Sequence, residues 1–259
     1  MPVIRVGVVL PSSNVTIEAE LATLLARQPD ATFSFHSSRM RMPRVSAAGL
    51  IAMSAQRDRC IIEIADAHPD VVLYANVAAL TSAGPAEHRR VESLIAEQLS
   101  LGGSQAKVRT SVGALVEALN ALNARRIALV LPYTGSLAAT VIECLQSEWF
   151  EVVDWAALGV EDYGAIAEIR QDQIIDAARS LNLSDVDALV ISVSSQMPSL
   201  TLVQRLETEC GIAVVSAATA ASYAILKACN LPVNIGGAGS LLQRDKSSTF
   251  PSRDARPGR

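Results

Sequence analysis

VGVVLPSSNVTIEAELATLL, residues 6–25, and IALVLPYTGSLAATVIECLQ, residues 127–146, share one plan: an apolar run, a proline, a polar turn and an amphipathic stretch. Read this way, the chain is an internal duplication. DVVLYANVAAL (70–80) then pairs with DALVISVSSQM (187–197), and VRTSVGALVEAL (108–119) pairs with VVSAATAASYAIL (214–226). The spacing agrees: Pro11 to Asn76 is 76 − 11 = 65 residues, and Pro132 to Ser194 is 194 − 132 = 62. Working outward, apolar runs alternate with helical patterns throughout. Helices are expected over about 15–27, 47–68, 87–101, 112–122, 136–148, 165–181, 200–209 and 218–229. That rhythm means parallel strands joined by crossover helices. The expected fold class is α/β, two pseudo-symmetric parallel-sheet domains with the site in the cleft between them. The units are expected at 1–110 and 111–240, with exchange of elements between them left open, and 241–259, polar and arginine-bearing, reads as a disordered tail.

Half of the 259 residues are apolar, enough for a substantial core. The formal charge of −4, from 22 basic and 26 acidic side chains with no basic block in the body, leaves nucleic acid nothing to hold. The first apolar run is too short to span a membrane and lacks the flanks of a signal peptide, so no membrane partner and a cytoplasmic location are expected. Cys60, Cys144, Cys210 and Cys229 form no CxxC pair and have no neighbouring histidines, so neither a metal site nor a disulfide framework is indicated. They read as helix thiols. Of the three histidines, only His36 is expected near a strand tip.

In open parallel sheets ligands bind beyond the carboxyl ends of the strands, where helix N-termini offer unpaired N–H groups. The duplication points to four such tips: Pro11-Ser12-Ser13-Asn14, Tyr74-Ala75-Asn76-Val77, Pro132-Tyr133-Thr134-Gly135 and Ser192-Val193-Ser194-Ser195-Gln196. Their hydroxyl and amide side chains suit a small carboxylate held by neutral hydrogen bonds. For Ser12, Asn14, Thr134 and Ser195 taken singly, helix capping explains the residue as well as ligand contact does. Asn76 and Ser194 are harder to read as caps, because they close apolar strands at equivalent positions of both copies.

The stretches VVLPSSNVTIEAEL, LYANVAAL, LPYTG and SVSSQMPSL together resemble maleate cis-trans isomerase, in the aspartate/glutamate racemase superfamily with arylmalonate decarboxylase. The likeness spans about residues 3 to 235. It implies a cofactor-independent enzyme acting on a small mono- or dicarboxylate between two halves, usually as a homo-oligomer. It places Asn14 on the family's carboxylate-binding asparagine and Tyr133 on its binding tyrosine. Asn76 and Ser194 stand where the family has its two cysteines, and Tyr163 stands where it usually has an asparagine. The expected catalytic set is therefore Asn76, Ser194 and Tyr133, with Ser12, Asn14, Val77, Ala78, Thr134, Tyr163, Ser195 and Gln196 binding the substrate.

Those replacements bear on the chemistry. An isomerase of this kind adds a thiolate to the maleate double bond, and an asparagine amide cannot take that part. A serine needs an adjacent base, and the sequence places no histidine or lysine beside Ser194. An isomerase by resemblance, a cysteine-independent decarboxylase or hydrolase, and a non-catalytic carboxylate binder all stay open.

Overall fold

The computed structural model describes residues 1–42 and 47–243. In the first half the elements run β1 (Val3–Pro11), α1 (Ile17–Leu25), β2 (Thr32–Met40), α2 (Ala47–Ser54), α3 (Arg57–Ala65), β3 (Val71–Tyr74), α4 (Val77–Ser82), α5 (Glu87–Leu101), β4 (Lys107–Thr110) and α6 (Ser111–Ala121). The second half has β5 (Arg126–Leu131), α7 (Gly135–Ser147), β6 (Glu151–Ala157), α8 (Gln171–Ser180), β7 (Ala188–Ser192), α9 (Leu200–Cys210), β8 (Ala213–Ser216) and α10 (Ala217–Ala228). Two 3-10 turns, Gly164–Glu168 and Ser240–Gln243, complete the described chain.

The strands form two four-stranded parallel sheets, ordered β2-β1-β3-β4 and β6-β5-β7-β8. The second order is the first shifted by four, as a duplication requires. Local anchors repeat as well. Asp70 accepts the Arg5 N–H at 2.8 Å, and Asp187 accepts those of Arg125 and Arg126 at 2.9 and 2.8 Å, fixing the start of the first strand in each sheet. Thr110 caps α6 through the Gly113 N–H, and Ser216 caps α10 through that of Thr219. β3, β7 and β8 are buried along their whole length, which explains why they read as continuous apolar runs rather than alternating ones. Gly7 in β1 lets α3 lie close, because a Cβ there would collide with Ile64.

The halves do not pack as separate bodies. α10 follows a strand of the second sheet yet packs on α1, α6, β3 and β4 of the first half.

Four expectations need correction. The helix expected over 47–68 is two, α2 and α3, broken at Gln56, whose side-chain amide pairs with both the N–H and the carbonyl of Arg41. The helix expected over 165–181 is a 3-10 turn followed by α8. His36 lies in mid-strand, opposite Gly7 and 3.1 Å from Ser34, away from the tip of β2. The tail expected from 241 starts too early: Leu241 and Leu242 are fully buried against α10 and β8, and of that stretch only 244–259 lie outside the described residues.

Candidate active site

The strand ends expected to form a site adjoin one another across the two halves. Asn14 is buried, and its side-chain oxygen accepts the N–H groups of Thr16 and Ile17 at 3.0 and 3.2 Å, opening α1. Its amide nitrogen reaches the other half, donating to the Ser195 hydroxyl at 3.0 Å. Capping and bridging are therefore one arrangement at this residue. Gln196 is fully buried and donates to the carbonyls of Ser13 (3.2 Å) and Tyr163 (2.5 Å), while its own side-chain oxygen has no partner. Thr16 donates to the Gln196 carbonyl at 2.8 Å. Ser12 is exposed, and its carbonyl, like that of Asn14, accepts from Arg39.

Asn76 does the work of a cap. Its oxygen accepts the Ala79 N–H at 3.3 Å at the start of α4, and its amide nitrogen donates to the Met53 sulfur at 3.7 Å. Val77 and Ala78 are buried in the first turn of that helix. Ser194 is as buried as Asn76, at 1 % exposure each, but opens no helix, because α9 starts only at Leu200. Its hydroxyl oxygen accepts the Gln196 N–H at 3.3 Å. Among the described residues no hydrogen bond joins Asn76 to Ser194. The N-terminus of α9 is capped from the other half instead: Glu20 of α1 accepts the N–H groups of Ser199 and Leu200, each at 2.9 Å.

Tyr133 and Tyr163 stand beside Ser194. Their rings stack with centroids 6.4 Å apart and planes inclined by 23°. Burial raises both phenols above the ordinary tyrosine range, only partly offset by the Ser194 hydroxyl, so both stay protonated at neutral pH. The Tyr133 hydroxyl is buried and has no hydrogen-bond partner of good geometry. The two tyrosines, with Thr134, Ser136, Leu137 and Thr140 of the α7 region, Val160 and Glu161 of the loop after β6, and Leu50 and Ser82 opposite, wall a cavity of about 500 Å³. Of the expected site residues, Tyr133, Thr134 and Tyr163 line this cavity. Asn14, Ser195 and Gln196 form the seam between the halves, and neither Asn76 nor Ser194 is a wall residue.

Leu50, Leu137 and Val160 escape sequence reasoning because nothing local separates them from ordinary core residues. None of the four cysteines lines this cavity. Burial pushes the Cys144 and Cys229 thiols up to about 11, the opposite of activation. Among the described residues no group of three metal-ligating side chains comes together, and no helix is long and apolar enough to cross a membrane.

Comparison with known proteins decides the family. Maleate isomerase of Nocardia farcinica is 57% identical over 249 residues, covering 96% of this chain and 99% of that protein. The chain belongs to the maleate isomerase family. The Geobacillus stearothermophilus maleate isomerase is 39% identical over 242 residues, covering 92% and 96% of the two chains. The arylmalonate decarboxylase family model matches residues 89–242, placing this family in the wider aspartate/glutamate racemase superfamily. A solved Nocardia farcinica maleate cis-trans isomerase, a cysteine-to-serine mutant with a covalently bound succinylcysteine intermediate, superposes with a TM-score of 0.92 at 57% identity, covering 94% of this chain and 99% of that one. Arylmalonate decarboxylase superposes with a TM-score of 0.72 at 18% identity, over 92% and 98% of the two chains, a likeness of fold alone. As in the isomerase family, two pseudo-symmetric α/β domains enclose the cleft.

Proposed function

We propose that this protein is a maleate-isomerase-type enzyme that holds a small dicarboxylate at the cleft and acts on it without a thiol or a bound cofactor. The observation that carries the reading is the polar wall of the cavity, where Tyr133 stands beside the start of α7, which no side chain caps. A carboxylate oxygen is the strong acceptor such donors favour, and hydrogen bonds to a charged group are worth more than neutral ones. The start of α7 adds unpaired N–H groups and the positive end of a helix dipole, and the Thr134 and Ser136 hydroxyls extend the same patch. Asn14, Ser195 and Gln196 hold the two halves in register around the ligand, and Asn76 and Ser194 sit where the family's cysteines would act.

Covalent isomerisation needs a nucleophile that adds to the double bond and leaves again. Ser194 is flanked by the Gln196 N–H and two protonated phenols, none of which takes a proton near neutrality, so its hydroxyl is not activated. A second reading is favoured by the same Tyr133 phenol. Decarboxylation of a malonate-type acid breaks a carbon–carbon bond, releases carbon dioxide and leaves the electron pair in an enediolate, which N–H and O–H donors stabilise. The phenol then gives its proton to carbon and recovers one from water.

Proton NMR of purified protein incubated with maleate, read for fumarate, together with carbon dioxide release from a malonate panel, separates these activities. Turnover should survive thiol alkylation, since no cysteine lines the cavity. Thermal stabilisation by dicarboxylates without any product would mark a binder, because binding stabilises whether or not chemistry follows. If no dicarboxylate stabilises the protein and none is consumed, the reading is wrong.

A further inference from the structure

The cavity at Tyr133 and Tyr163 is larger than an unsubstituted four-carbon dicarboxylate, and its surplus space is walled differently from its polar end. Such an acid has eight non-hydrogen atoms; at roughly 20–30 Å³ each, by analogy with the ~30 Å³ share of a water molecule, it fills on the order of 160–240 Å³. That is less than half of the cavity's volume of about 500 Å³. Thr134, Ser136 and Thr140, each bearing a hydroxyl, line it from the β5 tip to the second turn of α7. Leu50, Leu137, Val160 and the Tyr163 ring supply the apolar wall. Glu161, exposed at the rim, is the carboxylate among the wall residues and disfavours a further anionic group there.

We propose that the preferred ligand is a dicarboxylate carrying an apolar substituent, with its carboxylates on the hydroxyl patch and its substituent between Leu50, Leu137, Val160 and the Tyr163 ring. This rests on the dicarboxylate reading above and narrows it to a substrate class. The Tyr163 ring is held for this role at both ends. It stacks on Tyr133, and its backbone carbonyl is fixed by the buried Gln196 amide, so an aromatic face is presented rather than a mobile loop side chain. A flat or branched apolar group meeting such a face gains by burial and by ring stacking.

The test is calorimetric titration of the full-length protein with two series: maleate, methylmaleate and phenylmaleate, and succinate and phenylsuccinate. Affinity should rise about fourfold for the methyl group, the gain expected from burying one carbon, and tenfold or more for the phenyl group. Val160→Phe, on a half-exposed loop position, and separately Leu137→Phe on the first turn of α7, fill the apolar end. Each should bring the substituted acids down to the affinity of their unsubstituted parents, measured on the same variant. Parents that bind as tightly as the substituted acids would overturn the inference while leaving the dicarboxylate reading intact. A phenyl preference that persists in both filled variants would also overturn it. If no acid of either series binds, the dicarboxylate reading falls and this one with it. Tighter binding of aspartate than of methylmaleate would show that Glu161 recruits an ammonium group and would replace the apolar assignment.

Discussion

The tips of β3 and β7 are equivalent strand ends of two copies, yet they handle the same local problem in opposite ways. At the β3 tip, α4 begins one residue after Asn76, and the asparagine oxygen is used on that helix's own Ala79 N–H. At the β7 tip no helix begins until Leu200, and the first N–H groups of α9 are met by Glu20 from the other half. Ser194 is thereby relieved of capping, and its hydroxyl stands beside two protonated phenols instead. Duplication preserved the backbone path to the tip but not the duty of the residue placed there. One tip became a joint in the scaffold, and the other is free of that duty.

The largest change should come from placing sulfur at both tips at once. Asn76→Cys with Ser194→Cys is expected to convert maleate to fumarate at least about tenfold faster than either single variant, followed by proton NMR. A double variant no better than the single ones would mean that the two tips do not meet on one substrate. Next, Tyr133→Phe should weaken the best-bound dicarboxylate by on the order of 10- to 100-fold, the worth of one hydrogen bond to a charged group, with the melting temperature little changed because the hydroxyl makes no hydrogen bond of good geometry in the free protein. A lowered melting temperature with unchanged affinity would make that phenol a structural group.

The two capping arrangements can be ranked by thermal or denaturant unfolding. Glu20→Ala strands two N–H groups and should cost about 2 kcal/mol, whereas Asn76→Ala should cost about 1 kcal/mol. The reverse order would show that the cap supplied across the halves is the lesser of the two. The smallest effect concerns pH. Burial raises the Glu20 carboxyl above the ordinary range, outweighing the two backbone N–H groups that favour its charge. The folded state thus holds this proton more tightly than the unfolded chain does. Its contribution is complete below the ordinary carboxylate range and is lost as pH rises through the raised value. Glu20→Gln should flatten that part of the stability profile, and a profile unchanged by it would place the dependence elsewhere.

Much of this fold was legible because strand and helix periodicities are local, and because a repeated pattern makes each copy evidence for the other. The eight strands, their grouping and the four tips follow from that. What was not legible depends on distant partners. The break at Gln56 reflects its pairing with Arg41, and the burial of Leu241 and Leu242 comes from a groove between α10 and β8 that no local pattern announces. Glu20 reads as one more acid on the surface of an amphipathic helix until the fold brings residue 199 to it. At the site, the polar tips stood out because amides and hydroxyls are conspicuous after apolar runs. The apolar end of the cavity did not, since leucine and valine look alike whether they face a core or a ligand.

The crossing of α10 carries one more consequence. Because the last long helix covers the opposite sheet, severing the chain between Thr110 and Ser111 would leave each fragment with an uncovered apolar surface that only the other can shield. Neither piece should mature alone, and co-expressed pieces should reassemble into a soluble pair, as in split-protein complementation.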